Sequence, residues 1–162
     1  MIPEYKTILY ATDLSPNAAQ AFRHAVSLAR HYDGRIHILH VLPDVDSAVV
    51  NYVSTVMGEG RLGAFEVEHK REVVEEIERR LARFAEEELP DHPEDRDRVA
   101  GIRVAHGDPA AQILEAAEDV DADLIVMGSH GKGRLRHVFL GTVAERVLRK
   151  SRRPVFVSRL VE

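Results

Sequence analysis

With 162 residues and no cysteine, the chain can form neither disulfides nor thiolate metal sites; at this length one domain, residues 1–162, is expected to bury roughly two-thirds of its unfolded surface and so hold a core without staples. Its hydrophobic share of 44% and charged share of 30% fit a globular chain and exclude intrinsic disorder. The net charge of −5 is unevenly spread: Gly128–Arg153 carries eight Lys or Arg and one Glu, a net +7 that leaves −12 for the rest.

The N-terminal Met-Ile-Pro-Glu-Tyr-Lys passes at once into a short apolar run, without the charged and long apolar regions of a secretory leader. No apolar run approaches membrane-spanning length. The expected compartment is the cytoplasm, with no membrane partner.

Lys6–Thr12 reads as a strand whose continuous apolar centre, Ile8-Leu9-Tyr10, suits burial on both faces. Ser15-Pro16 opens a helix by an N-cap followed by proline, and Ala18, Phe22, Ala25, Val26 and Ala29 follow helical spacing. Asp33-Gly34 is expected to stop it, with Gly34 in the left-handed conformation. Arg35–Leu42 is a second strand.

Residues 43–64 show no period, and Gly58, Gly60 and Gly63 are expected to make them a flexible insertion or a short irregular helix. A long helix from about Phe65 to Glu88 carries a stripe of Val73, Val74, Ile77, Leu81, Phe84 and Ala85, with Glu75–Arg79 and Glu76–Arg80 as i,i+4 pairs. Pro90–Arg98 reads as a polar loop and Val99–His106 as a third strand. Asp108-Pro109 repeats the cap-then-proline device and starts a helix. Asp123–Gly128 is a fourth strand. Thr142–Lys150 is a helix with Val143, Val147 and Leu148 inward, and Pro154–Leu160 a fifth strand.

Strands alternating with helices predict an α/β fold: a five-stranded parallel sheet, doubly wound, Rossmann-like, with helices on both faces. Ligands in such sheets sit at the carboxyl ends of the strands, near the point where strand order reverses. That rule selects Asp13, Val41, Gly107 and Gly128.

After the fourth strand the chain reads Met127-Gly128-Ser129-His130-Gly131-Lys132-Gly133, then Leu140-Gly141-Thr142-Val143. Glycine lets backbone approach phosphate oxygens and adopt positive φ. A helix opening at Thr142 offers unpaired N–H groups and a positive dipole end. Read alone, such glycines are more often plain turns. The segment is neither a Walker A loop nor a dinucleotide fingerprint, since Arg136 stands where the latter needs its third glycine. Lys132, Arg134 and Arg136 add positive charge there. Arg149, Lys150, Arg152 and Arg153 are accounted for by a helix C-terminus, where cations are favoured anyway.

At these residues the sequence resembles the ATP-binding members of the universal stress protein family, whose Gly-x2-Gly-x9-Gly-Ser/Thr pattern is filled by Gly128, Gly131, Gly141 and Thr142. Ile8–Ser15, His40-Val41, Gly107–Ala110 and Lys150–Val155 resemble the family's other turns and strands, so the likeness covers the whole chain. It implies the adenine nucleotide alpha hydrolase-like fold and binding of ATP. Asp13 would bind the nucleoside with Ala11 beside it, and Val41 would meet adenine. Met127 and Gly128 would line ribose and phosphates. Gly131, Gly141, Thr142 and Val143 would hold phosphates carrying Mg2+ or Mn2+. By their place in the loop, His130 is expected either to touch the ligand or to be solvated, and Lys132 to supply charge beside it. Ala11 is often proline in relatives and Thr142 often serine. The resemblance also implies a homodimer through the C-terminal strand, residues 154–160.

No paired carboxylates or general base stand out, so slow or no ATP hydrolysis is expected. A nucleotidyltransferase of related fold would show His-x-Gly-His, and His37-Ile38-Leu39-His40 lacks the glycine. A protein-interaction module that uses no nucleotide is the other alternative, and the intact glycine pattern weighs against it. Few aromatics accompany the basic segment and the chain is acidic, so nucleic acid is not an expected partner. His37 and His40, three apart on a strand, face opposite sides and are not expected to share a metal.

Overall fold

The computed structural model describes residues 1–42, 52, 55–56, 58, 60–129 and 140–159, with the backbone alone for 60–66. The strands are β1 (Thr7–Thr12), β2 (Arg35–Leu42), β3 (Val99–His106), β4 (Leu124–Gly128) and β5 (Val155–Ser158). The helices are α1 (Pro16–Tyr32), α2 (Gly60–Glu88), α3 (Pro109–Asp119) and α4 (Thr142–Lys150). Every described strand pairing is parallel, and the strand order is β3-β2-β1-β4-β5. The order therefore reverses between β1 and β4, which makes the carboxyl ends of these two strands the switch point. A register shift between Ile36 and His37 leaves Ala100 of β3 without a partner in the ladder.

Two-residue alternation divides the core between the two faces of the sheet. Ile8, Tyr10, Ile36, Ile38, Leu124 and Val126 point to the first face, where they meet Ala21, Phe22, Ala25, Val26 and Ala29 of α1 and Ile77 of α2. Leu9, Ala11, Leu39, Ile125 and Met127 point to the second face, against Ala110, Ile113, Ala116 and Ala117 of α3 and Ala144 and Val147 of α4. The centres of β1 and β4, Ile8–Ala11 and Leu124–Met127, are apolar without interruption because both faces are covered.

Both predicted cap-and-proline starts are present. Ser15 Oγ accepts from Ala18 N at 3.2 Å, and Asp108 Oδ2 accepts from Ala111 N at 3.0 Å. The stop of α1 differs in one respect: the left-handed residue is Asp33 (φ 51°, ψ 47°), not Gly34. Glycine is required at 34 because a Cβ there would lie 2.7 Å from the Tyr5 carbonyl oxygen and 3.0 Å from that of Lys6. The chain turns tightly there to lay β2 beside β1, and Arg35 N donates to Lys6 O at 2.7 Å.

Helix α2 begins at Gly60, earlier than predicted, so the last part of the expected 43–64 insertion is helical. Gly60 and Gly63 lie within it, since a glycine inside a helix costs only about 1 kcal/mol, which the rest of a 29-residue helix overrides. Arg79 pairs with Glu76 at 2.7 Å, one turn back by three residues, rather than with Glu75, and Glu76 is shared with Arg80.

The expected polar loop before β3 contains a 3-10 segment, Pro93–Arg98, that buries Asp95. Asp95 is held by Arg30 of α1 and by Arg98 Nε at 3.1 Å, and Arg98 also reaches Asp33 at 2.9 Å. Burial pushes the Asp95 carboxyl up, but the hydrogen bonds from Arg30 and Arg98 reverse this and leave it below the ordinary range. Leu148, expected inward on α4, is 44% exposed. The inward positions are Ala144 and Val147, three apart on one face, with Val143 partly buried beside them.

Candidate functional site

Four of the expected site residues come together in one apolar cluster on the second face at the carboxyl edge of the sheet. Ala11 ends the buried run of β1 and Met127 that of β4, while Val41 of β2 and Val143 of α4 are partly buried against the same cluster. Gly128 is the last residue of β4, and Asp13 follows β1 directly. Asp13, Gly128 and the start of α4 therefore surround the switch point, with Val41 one strand away.

The turn after β1 is held by its own side chains. Leu14 N donates to Thr12 Oγ1 at 3.0 Å, and Ser15 N to Asp13 Oδ1 at 2.9 Å. Leu14 is left-handed at φ 66°, a conformation that costs a branched residue about 1 kcal/mol or more. Arg80 Nη1 of α2 donates to the Leu14 carbonyl at 2.7 Å. His40 Nδ1 lies 2.7 Å from the Thr12 carbonyl, which can only accept, so this nitrogen carries the proton. Tyr10, one turn of the strand earlier, gives its hydroxyl to Ala18 O at 2.5 Å, and burial raises its phenol far above the ordinary value.

The start of α4 is fixed by backbone. Ser129 N donates to Ser158 O at 2.9 Å and Gly141 N to Ser129 O at 2.7 Å, which ties β4, β5 and the head of α4 into one unit. Ser129 is buried, and both of these bonds are made by its backbone, so its side-chain type carries no sequence signal of the role. Gly141 is the N-cap at φ −67°, ψ 156°. Its backbone is ordinary extended chain, so the position does not call for positive φ. Thr142 opens the helix with its side chain exposed.

Three described helices begin at the carboxyl edge, and their N-termini differ in a way that decides where an anion could sit. That of α1 is capped by Ser15. That of α3 is capped by Asp108, whose carboxylate also takes two hydrogen bonds from Arg146, at 2.8 and 3.0 Å; the Arg146 guanidinium holds it below the usual range. The head of that helix is already occupied by a carboxylate of the chain itself. Among the described residues no side chain caps the N-terminus of α4. Its first-turn N–H groups are the donors the fold leaves to a ligand.

His130, Gly131 and Lys132 lie outside the described residues, as do Gly133, Arg134 and Arg136. His37 and His40 fall on opposite faces as expected: His40 shares the parity of Ile38 on the first face, and His37 that of Leu39 on the second. Burial lowers the pKa of His37. Among the described residues no three His, Asp or Glu are grouped so as to hold a metal ion. Among the described residues no helix is long and apolar enough to cross a membrane.

The sheet order and the helices on both faces define a doubly wound α/β protein whose switch point lies at the carboxyl ends of β1 and β4. The universal stress protein family matches residues 4–159, and the chain belongs to that family. Universal stress protein MJ0577 of Methanocaldococcus jannaschii is 33% identical over 161 residues, with 94% of each chain covered. A solved structure of MJ0577 superposes with a TM-score of 0.70 at 30% identity, covering 99% of both chains. UspA from Lactobacillus plantarum, at 22% identity and a TM-score of 0.69 over 98% of this chain and 100% of its own, shares the fold.

Proposed function

We propose that the chain is an ATP-binding universal stress protein of the cytoplasm, a single domain acting as a nucleotide-dependent regulator with slow or no hydrolysis. In this reading adenine and ribose lie over Ala11, Val41, Met127 and Gly128, and Asp13 bonds the nucleoside. Gly131, Gly141, Thr142 and Val143 bind the phosphates, which carry Mg2+ or Mn2+, and His130 and Lys132 stand beside them. The observation that carries the reading is the N-terminus of α4 at the switch point, which no described side chain caps, beside the apolar cluster of Ala11, Val41, Met127 and Val143. An apolar floor for a base and unpaired N–H donors for phosphate are what a nucleotide needs. The glycine pattern through Gly128, Gly131, Gly141 and Thr142 supports the same assignment.

The reading includes a homodimer through β5, which stands at the edge of the described sheet. Ile125 N and Ser129 N donate to the carbonyls of Pro154 and Ser158. In a parallel pair the residues bonding one neighbour alternate, so Val155 and Val157 present their backbone groups to the open side. A second copy of the strand would pair there about a two-fold axis.

Acid extraction of the purified protein, followed by chromatography of the released small molecules, tests the nucleotide. Adenine nucleotide in the extract supports the reading. An extract free of it, from protein that also fails to take up added ATP, refutes it. Phosphate release at an ordinary enzyme rate, on the order of 10 per second, would replace the regulator with an ATPase.

A further inference from the structure

We infer that Arg80 of α2 and His40 of β2 are positioning residues for Asp13, gripping the backbone carbonyls on either side of it. The inference rests on the nucleotide reading above and adds two residues to which neither the glycine pattern nor the family match gives a role. Thr12 O is met by His40 Nδ1 and Leu14 O by Arg80 Nη1, each at 2.7 Å. The partners come from 28 and 66 residues away, so the turn is pinned by tertiary structure as well as by its own Asp13–Ser15 and Thr12–Leu14 bonds.

The restraint has something to hold. Leu14 is left-handed, and an unrestrained leucine returns to negative φ and swings the preceding peptide, carrying Asp13 with it. Arg80 is suited to this role and not to direct ligand contact. It reaches the turn from α2, which packs on the first face, whereas Ala11, Val41, Met127 and Val143 cluster on the second. Its guanidinium is also paired with Glu76 at 3.0 Å, which offsets its charge as seen from the crevice. His40 is buried beneath the same turn and its proton is committed to Thr12 O.

The test uses the full chain in wild-type, Arg80→Met, Arg80→Lys, Asp13→Ala and Asp13→Ala/Arg80→Met forms. ATP and adenosine affinities are read by displacement of a fluorescent adenine nucleotide. One charge-assisted hydrogen bond on a half-exposed side chain corresponds to a loss of about fivefold. Arg80→Met is expected to weaken ATP and adenosine by that same factor, with Arg80→Lys recovering part of it. In the Asp13→Ala background Arg80→Met should have no further effect. A greater loss for ATP than for adenosine, or additive losses in the double variant, would overturn the positioning role. Hydrogen exchange on the ligand-free protein gives a readout independent of nucleotide. Arg80→Met and His40→Gln should speed exchange at the Leu14 and Ser15 amides and leave Ile8 and Ile125 protected. Unchanged exchange at Leu14 and Ser15 refutes the grip even if ATP binds. Wild-type protein that binds neither ligand, yet shows the exchange change, refutes the nucleotide reading and keeps the grip.

Discussion

Replacing Gly141 by valine separates the two uses of a glycine, because its backbone here needs none of glycine's conformational freedom. At φ −67° and ψ 156° valine fits without strain. The change at the N-cap costs α4 about 0.5–1 kcal/mol, since glycine caps a helix better than a branched residue does. For a chain of this size the melting temperature should fall by no more than about 4 °C. Binding should suffer far more. A branched side chain at the head of α4 stands between an incoming phosphate and the N–H groups of Thr142 and Val143. Losing two charge-assisted hydrogen bonds removes about 3–6 kcal/mol, at least a hundredfold in Kd. Gly141→Ser sharpens the test: its hydroxyl can cap the helix and should leave the melting temperature unchanged or slightly higher, while still weakening ATP. Thermal unfolding and calorimetric titration of the three proteins read both quantities. Valine protein that binds ATP with wild-type affinity would refute the placement of phosphate at α4. A large loss of stability would refute the conformational argument.

Val157→Pro removes an N–H from the open side of β5 and leaves the bonds to β4 in place, so it should convert a dimer to a folded monomer by light scattering after size exclusion; a proline variant that remains dimeric would exclude the β5 interface. Asp95→Ala should destabilise the chain by about 2 kcal/mol, less than a fully buried pair because both arginines can reach water. The Asp95 carboxyl is depressed in the folded state, so its contribution is present above the unfolded value, about 4, and is lost as pH falls through the folded one. Urea titrations from pH 7 to pH 2 should therefore show the gap between wild type and Asp95→Asn closing in acid, and a constant gap would contradict the ion-pair account. Lys132→Ala should weaken ATP less than Gly131→Val, because the lysine supplies charge and the glycine supplies space; calorimetry ranking them the other way would be against it.

The sheet was legible because its signals are local. Continuous apolar strands such as Leu124-Ile125-Val126-Met127 and the Ser15-Pro16 and Asp108-Pro109 starts need no knowledge of partners. What escaped depends on residues distant in sequence. Gly34 is a glycine because of Tyr5 and Lys6 across the turn, and Asp95 is buried because Arg30, 65 residues earlier, reaches it. The 3-10 segment that carries Asp95 looks like any polar loop until that pair is known. Leu148 was placed inward by type, whereas the interior of the short helix α4 is set by Ala144 and Val147. Of the site, the motif named Gly141 and Thr142, but why α4 and not α3 should receive an anion needed Arg146 closing onto Asp108, a contact across 38 residues. The clamps on Thr12 O and Leu14 O act on backbone and leave no mark in a motif.

Calorimetric titration of the purified, nucleotide-stripped protein with ATP and Mg2+, alongside GTP, tests nucleotide binding at the switch point most directly. The account predicts saturable binding near one ATP per chain and clearly weaker binding of GTP, because Val41 and Asp13 meet the base and nucleoside and not the phosphates alone. No heat at protein concentrations of tens of micromolar, or equal affinity for ATP and GTP, would contradict it.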